Sequence, residues 1–246
     1  MKETPTFPMD SRFTKRSVFA VTFNGSYDSY DDIKKKITKY PIESETWHSF
    51  FDMCYESVVS DMRLKERWKL LDLNLKKDNK NKVLEFGGGL AYSFLAYEKD
   101  YNLDYHIIET KDYVKKGIAL IPRVSWYDYT PKLNDVDIFY CRGSIQYAED
   151  WRRTISELIN NCSPSKIIWE HTPVGKMKTF YTVQHFNGSR LPWCFINFDE
   201  FNTHIENHGY KLTHKDSEPY DYVRRFNKIS TEYRIDSTMD LVYERE

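Results

Sequence analysis

Three adjacent glycines directly follow a short apolar run of the sequence. Residues 83–86 read Val-Leu-Glu-Phe, Gly87, Gly88 and Gly89 come next, and a helical pattern begins near Ala91. Glycine permits a sharp turn and lets the backbone approach a ligand where a side chain would collide. The amides at the start of the following helix attract the negative end of such a ligand. The pattern therefore predicts a nucleotide-cofactor turn, with a merely tight turn as the alternative.

The spacing of the glycines distinguishes between cofactors. A dinucleotide-binding turn has the pattern Gly-x-Gly-x-x-Gly. Here Tyr92 occupies the position of the third glycine, where a bulky side chain opposes the close approach that a pyrophosphate needs. A nicotinamide-dependent oxidoreductase is therefore the less favoured alternative.

Acidic residues follow two further predicted strands. Glu109 ends the second strand and Asp128 follows the third. A carboxylate at the end of the second strand can accept hydrogen bonds from both ribose hydroxyls, as the acidic residue about 20 residues past the glycines does in dinucleotide-binding folds. We therefore predict that Glu109 binds a ribose and that Asp128 binds an adenine amino group. The alternative for Glu109 is an exposed carboxylate without a ligand.

The fourth predicted strand ends at Cys141 and is followed by Ser144 and Gln146. Ligands of open α/β sheets bind beyond the carboxyl ends of the strands. We expect Ser144 to contact the cofactor and Gln146 to contact the second substrate.

A parallel sheet is needed to bring these residues together. From Lys82 onward, short apolar runs alternate with helical patterns, which favours a parallel sheet with crossover helices. The predicted strands are 82–86, 105–109, 124–127, 136–141 and 166–170, and the predicted helices are 91–100, 111–120, 151–161 and 199–208. Two last strands, 210–215 and 239–244, are also predicted. The predicted fold is α/β, with a doubly wound, mostly parallel, seven-stranded Rossmann-like sheet.

Residues 1–80 are predicted to form an N-terminal helical cap. Apolar residues between 44 and 75 recur at helical spacing, whereas residues 1–24 indicate a weakly structured lead-in, and Asn24-Gly25-Ser26 indicates a turn. Residues 81–246 should form the sheet domain, with a flap insertion at about 173–197 that is predicted to be largely irregular.

Composition restricts the partners. The 36 basic and 37 acidic residues give a net charge of -1, which disfavours nucleic acid as a partner. The four cysteines include no closely spaced pair, so we expect free thiols and no metal site. No apolar stretch approaches the ~20 residues of a membrane helix, and the first residues lack a signal-peptide core. We expect a cytoplasmic protein.

Several segments together resemble class I S-adenosylmethionine-dependent methyltransferases. More narrowly, the chain is similar to a bacterial methyltransferase family often associated with surface-polysaccharide gene clusters. The matching segments are FNGSYD at 23–28, VLEFGGGL at 83–90, HIIE at 106–109, IQY at 145–147, HTP at 171–173, QH at 184–185 and PWCF at 192–195. Two positions depart from the family, because Ala91 replaces a common glycine and His171 replaces the more usual residue.

The resemblance implies S-adenosylmethionine as the cofactor, held by the glycine turn and Glu109. It also implies that Glu85 organises the amino-acid end of the cofactor. The last two predicted strands should form an antiparallel edge pair, as in class I methyltransferases. The expected reaction is O-methylation of a saccharide or another small hydroxylated metabolite, in polysaccharide biosynthesis. A catalytically silent relative that binds only the cofactor or a partner is the alternative. A homodimer is left open.

Methylation of a hydroxyl benefits from a base that removes its proton. His171 and His185 are the catalytic candidates, and His185 is favoured because the pair Gln184-His185 belongs to the resemblance. Glu170 is a third candidate. Gln184 and Trp193 lie in the same flap and are expected, with Gln146, to bind the acceptor.

Overall fold

The computed structural model describes residues 22–37, 55, 67–186, 189–220, 231–233, 235 and 237–246. The strands are β1 Thr22–Tyr27, β2 Lys80–Phe86, β3 Asn102–Ile108, β4 Ser125–Tyr127, β5 Ile138–Arg142, β6 Lys166–Thr172, β7 Val174–Gly175, β8 Phe180–Phe186, β9 Ser189–Asn197, β10 Tyr210–Pro219 and β11 Ser237–Arg245. The α-helices are α1 Tyr30–Lys34, α2 Lys69–Asp72, α3 Tyr92–Tyr97, α4 Lys111–Leu120, α5 Trp151–Cys162 and α6 Phe198–Glu206. Short 3-10 helices span Ile145–Tyr147 and Thr231–Tyr233.

The larger sheet has seven strands in the order β10-β11-β6-β5-β2-β3-β4. The five strands from β6 to β4 run parallel to one another, and β11 is antiparallel to both β6 and β10. The antiparallel pairing of the last two strands is therefore confirmed. Of this pair, β10 is the edge strand, because β11 lies between β10 and β6.

Both faces of this sheet are covered, as expected of a doubly wound fold. Successive residues of a strand point to opposite faces. In β2, Val83 packs into a cluster with residues of α2 and α3, whereas Leu84 packs into a cluster with residues of α5 and α6. The strands of the parallel part are apolar on both faces for this reason, and this made them recognisable in the sequence.

A second, four-stranded sheet has the order β1-β8-β9-β7. The prediction that residues 173–192 are irregular was therefore wrong, since β7, all of β8 and part of β9 lie there. Strand β8 pairs antiparallel with β9 on one side and with β1 on the other. Asn187-Gly188 separates β8 from β9 in the sequence, and this dipeptide is a strong hairpin signal.

Asn24-Gly25-Ser26, predicted as a turn, lies within β1. Gly25 has φ +77°, and the register of β1 against β8 shifts between Asn24 and Tyr27. A left-handed glycine at such a register shift is typical of a β-bulge. The glycine that indicated a turn in the sequence therefore lies at an irregularity within a strand.

Most of the predicted helical cap, namely residues 1–21, 38–54 and 56–66, lies outside the described residues. The described residues 22–37 contribute β1 and α1, which contact the small sheet. None of the described helices is long and apolar enough to cross a membrane.

Candidate active site

The glycine turn lies at the carboxyl end of β2, between the ends of β3 and β5. Gly87 and Gly89 have φ values of +73° and +59°. The Gly87 amide donates to the Ile108 carbonyl at 2.9 Å, and the Ser144 hydroxyl donates to the Gly87 carbonyl at 3.1 Å. A Cβ on Gly87 would overlap the Ser144 side chain. Ser144 thus lies directly against the turn.

Ala91 ends the turn and caps α3 with φ +59° and ψ +38°. This left-handed conformation is costly for residues other than glycine. The methyltransferase family that the chain resembles commonly has glycine at this position, and glycine adopts this conformation without steric cost.

Glu109 follows β3 and binds the glycine turn. Its Oε1 accepts the Gly89 amide at 2.9 Å, and its Oε2 accepts the Thr110 amide at 2.9 Å. Burial raises the pKa of this half-buried carboxyl group to about 7 against the effect of these bonds. Each carboxylate oxygen can accept more than one hydrogen bond. Glu109 therefore retains acceptor capacity beside the turn, where a ribose was predicted.

Glu85 is enclosed beneath the same turn and is only 3% exposed. Its Oε2 accepts the Ser93 hydroxyl at 2.5 Å and the Tyr105 hydroxyl at 3.0 Å. A Cβ on Gly88 would lie 2.7 Å from that oxygen. Burial raises the pKa of Glu85 to about 7. Glu85 thus links β2 to α3 and β3. The two groups that donate hydrogen bonds to it are side chains of the protein.

Asp128 lies exposed just beyond β4, at the outer edge of the sheet. It is the predicted cofactor residue that lies farthest along the sheet from the β2–β5 junction.

Gln146 lies in the 3-10 helix after β5 and is 2% exposed. Its Nε2 donates to the Gly143 carbonyl at 2.6 Å. Its Oε1 is buried and accepts no hydrogen bond from the described residues. A buried amide oxygen without a donor is costly, and it would be satisfied by a ligand that carries one.

The small sheet covers this region through β8 and β9. Tyr147 donates from its hydroxyl to Gln184 Oε1 at 3.1 Å, and its ring lies edge-on to Trp193 at 5.1 Å. The structure thus brings Gln184 and Trp193, two of the three predicted acceptor residues, to Tyr147, and Gln146 precedes Tyr147 in the 3-10 helix. Tyr147, which joins them, received no predicted role although it was part of the quoted motif IQY.

Phe23 of β1 contacts the same group, with its ring 5.3 Å from that of Trp193. Phe23 belongs to the quoted segment FNGSYD but received no predicted role, because β1 was not predicted as a strand.

His185 lies on the other face of the small sheet. It is adjacent to Gln184 in β8, and adjacent residues of a strand point to opposite faces. Its direct neighbours across the sheet are Thr22 and Arg190. Burial and the Arg190 charge lower the pKa of His185. Its predicted role as a base requires the acceptor to reach that face.

His171 lies near the end of β6, beside the loop that follows β5. The position of a Cβ on Gly143 is 3.7 Å from His171 Cδ2 and 3.9 Å from Gln146 Nε2. His171 and Gln146 thus both lie beside Gly143.

Glu170, the third candidate base, is buried in the core. It accepts hydrogen bonds from the Tyr140 hydroxyl and, at 3.2 Å, from the Leu70 amide of α2. Burial raises its pKa to about 7. Its hydrogen bonds hold α2 against the sheet, and its side chain does not lie among the acceptor residues.

Comparisons with known proteins identify the fold. No protein-family model and no curated protein matches the sequence. An S-adenosylmethionine-dependent methyltransferase from Methanosarcina mazei matches with a TM-score of 0.54 and 8% identity, over 72% of this chain and 97% of that chain. One from Mesorhizobium loti matches with a TM-score of 0.51 and 13% identity, over 75% of this chain and 100% of that chain.

The cyclase SpnF also matches, with a TM-score of 0.50 and 13% identity, over 75% of this chain and 80% of that chain. The chain thus has the Rossmann-like α/β fold of class I methyltransferases. Because a cyclase shares this fold, the fold alone does not decide the reaction.

Proposed function

We propose that this protein is an S-adenosylmethionine-dependent methyltransferase that binds its methyl donor on the glycine turn after β2. The observation that carries the proposal is the contact between that turn and Glu109. A half-buried carboxylate with spare acceptor capacity lies at the end of β3, 2.9 Å from the Gly89 amide. The residues present fit a donor whose ribose offers two hydroxyl groups at this place.

Two features disfavour the nicotinamide alternative. Tyr92 begins α3 at the position where a dinucleotide fold has its third glycine. In addition, the antiparallel strand β11 lies between β6 and β10, whereas the dinucleotide-binding sheet has the strand order 3-2-1-4-5-6 without such an insertion.

The acceptor is, in this proposal, a small hydroxylated molecule such as a saccharide. The buried amide oxygen of Gln146, which accepts no hydrogen bond from the described residues, would accept one from a hydroxyl. The aromatic pair of Tyr147 and Trp193 lies beside Gln184. The resemblance to a family associated with surface-polysaccharide gene clusters favours the saccharide.

The donor, when bound, supplies an electrophilic methyl group attached to a sulfonium. The chain's own contribution is to position the two reactants and to exclude water from between them. In this proposal, Ser144 and the glycine turn fix the donor side, while the small sheet closes the acceptor side.

Donor binding and methyl transfer test the proposal separately. Calorimetry with S-adenosylhomocysteine should give binding to the wild type that is weaker in Glu109→Ala by about 1–3 kcal/mol, the cost of unpaired hydroxyls. Glu157→Ala is the matched control, because Glu157 is an exposed helix carboxylate paired with Arg153. Absence of binding to the wild type would refute the donor site.

Transfer is measured with radiolabelled S-adenosylmethionine and a panel of sugars, sugar phosphates and phenols. Label in at least one acceptor is the expected result. Tight donor binding with transfer to none of them would favour the second candidate function, a silent or non-methylating relative, which the fold shared with a cyclase keeps open.

A further inference from the structure

The backbone of His171 adopts a conformation that histidine rarely takes. Its φ is +53°, in the left-handed region that costs energy for a residue with a side chain. The His171 amide donates to Asp240 Oδ1 of β11 at 2.7 Å. Strained backbone held in place by its surroundings is common at functional sites. The His171 side chain is therefore a candidate for a functional role.

One edge of the His171 ring faces β10 and β11. Its Nδ1 lies 3.2 Å from the hydroxyl of Thr238 and 3.9 Å from Glu218 Oε2. Thr238 and Glu218 are directly opposite each other in the β10–β11 pair. Thr238 is fully buried, whereas the Glu218 side chain is 63% exposed. The buried hydroxyl therefore fixes the ring, and the carboxylate contributes a negative charge on the same side.

The opposite edge of the ring lies beside Gly143, next to the 3-10 helix that carries Gln146. Cδ2 lies 3.7 Å from the position of a Cβ on Gly143, and that position is 3.9 Å from Gln146 Nε2. In imidazole, Nε2 is bonded to Cδ2 on the edge away from Nδ1. Nε2 is therefore on the side of the ring that carries Gly143 and Gln146.

We propose that Thr238 and Glu218 hold the His171 proton on Nδ1, so that Nε2 can accept the proton of the acceptor hydroxyl. This inference rests on the proposed function for the identity of the reaction. The hydrogen bond made by one ring nitrogen sets the state of the other, and a carboxylate beside Nδ1 favours a proton there. Thr238 and Glu218 are positioning residues, and His171 is the catalytic residue.

The acceptor O–H bond breaks and its proton moves to His171 Nε2, while the electron pair of that bond stays on the acceptor oxygen. This oxygen forms the new bond to the methyl carbon, and the pair of the broken carbon–sulfur bond stays on sulfur. The imidazolium then returns its proton to water.

Other groups that face the ring fit this assignment. Tyr220 packs edge-on against the imidazole at 5.3 Å, and Asp240 binds the His171 backbone. Glu218 and Asp240 each bring a negative charge close to His171, which favours a proton on the ring. The carboxylates cannot donate to Nδ1 when ionised.

The test is ¹⁵N NMR of histidine-labelled protein, with the spectrum of His171→Asn used to assign the His171 signals among seven histidines. Asparagine tolerates the left-handed region, so this variant should fold. At a pH where the ring is neutral, the wild type should show the proton on Nδ1. Thr238→Val and Glu218→Gln should each shift the signals toward the other tautomer, and Thr238→Ser should restore them. Glu206→Gln, which changes an exposed carboxylate of α6, is the matched control.

A proton on Nε2 in the wild type would overturn the proposal, as would a tautomer that neither Thr238→Val nor Glu218→Gln changes. With an acceptor from the panel, His171→Asn should lower kcat by about 10²–10⁴-fold, the usual contribution of a general base, and should leave the affinity for S-adenosylhomocysteine nearly unchanged. The NMR result does not depend on donor binding, so a failure of the proposed function and a failure of this inference are distinguishable.

Discussion

Gly87 should be intolerant of a methyl group for two separable reasons. In Gly87→Ala, the new side chain must accept φ +73° and must also displace Ser144, which occupies the space of the Cβ. A left-handed backbone costs an L-residue roughly 1–2 kcal/mol, and overpacking costs about 1–3 kcal/mol. We therefore expect a loss of about 2–5 kcal/mol in the free energy of unfolding, the sum of the two contributions.

Two other glycines separate these contributions. Gly209 has φ +81° with nothing within 4 Å of its Cβ position, so Gly209→Ala should show the backbone cost alone. Gly88 has no left-handed φ, but a Cβ there would lie 2.7 Å from Glu85 Oε2, so Gly88→Ala should show the packing cost alone. In a Ser144→Gly background, the cost of Gly87→Ala should fall to that of Gly209→Ala.

The assay is urea unfolding of each variant at constant m-value, supported by thermal melting, where 1 kcal/mol corresponds to about 2–4 °C for a chain of this size. Equal losses for Gly87→Ala and Gly209→Ala in the wild-type background would refute the contact between Gly87 and Ser144.

The remaining predictions concern the carboxylates and the small sheet. Burial raises the pKa of Glu109 to about 7, and ionisation makes it a full acceptor; affinity for S-adenosylhomocysteine should therefore rise with pH through about 7 in the wild type and stay flat in Glu109→Gln. Burial raises the pKa of Glu85 from 4.5 to about 7. Because the folded state holds this proton more tightly, Glu85 lowers stability as pH rises across that window. Glu85→Gln should accordingly gain stability relative to the wild type from about pH 4.5 to about pH 7 in urea titrations, and parallel curves would contradict this. Gln184→Leu should raise KM for the acceptor, whereas His185→Leu should not; the reverse result would show that the acceptor binds the other face of β8.

The parallel part of the sheet could be predicted from the sequence because its strands are buried on both faces. Each appears as a short apolar run between polar segments, and the glycine turn and Glu109 mark where two of them end. Right-handed crossovers restrict the orders that such strands can take. Because the carboxyl ends of parallel strands lie at the same edge of the sheet, the residues there could be expected to meet.

The small sheet could not be predicted in the same way. Its strand β1 pairs with β8, which lies more than 150 residues away in the sequence. Pro192 interrupts the pattern of β9, and proline argues against a central strand. The structure accommodates it because Pro192 faces Val183 of β8 on a stretch of β9 that β7, paired only at Val174–Gly175, does not reach.

The roles of single residues were harder to predict from the sequence than the fold. Sequence adjacency of Gln184 and His185 indicated a common site, but the alternation of a strand separates their side chains. The donors to Glu85, Ser93 and Tyr105, come from α3 and β3, and no sequence pattern pairs them. The left-handed backbone of His171 gives no sequence signal, because histidine does not mark that conformation as glycine does.

The most direct test of the central claim is a crystal structure of the protein with bound S-adenosylhomocysteine. The ribose hydroxyls should lie within hydrogen-bonding distance of the Glu109 carboxylate, and the sulfur should face Gly143 and the Nε2 edge of His171. A ligand bound away from the glycine turn, or with its ribose out of reach of Glu109, would contradict the proposed donor site.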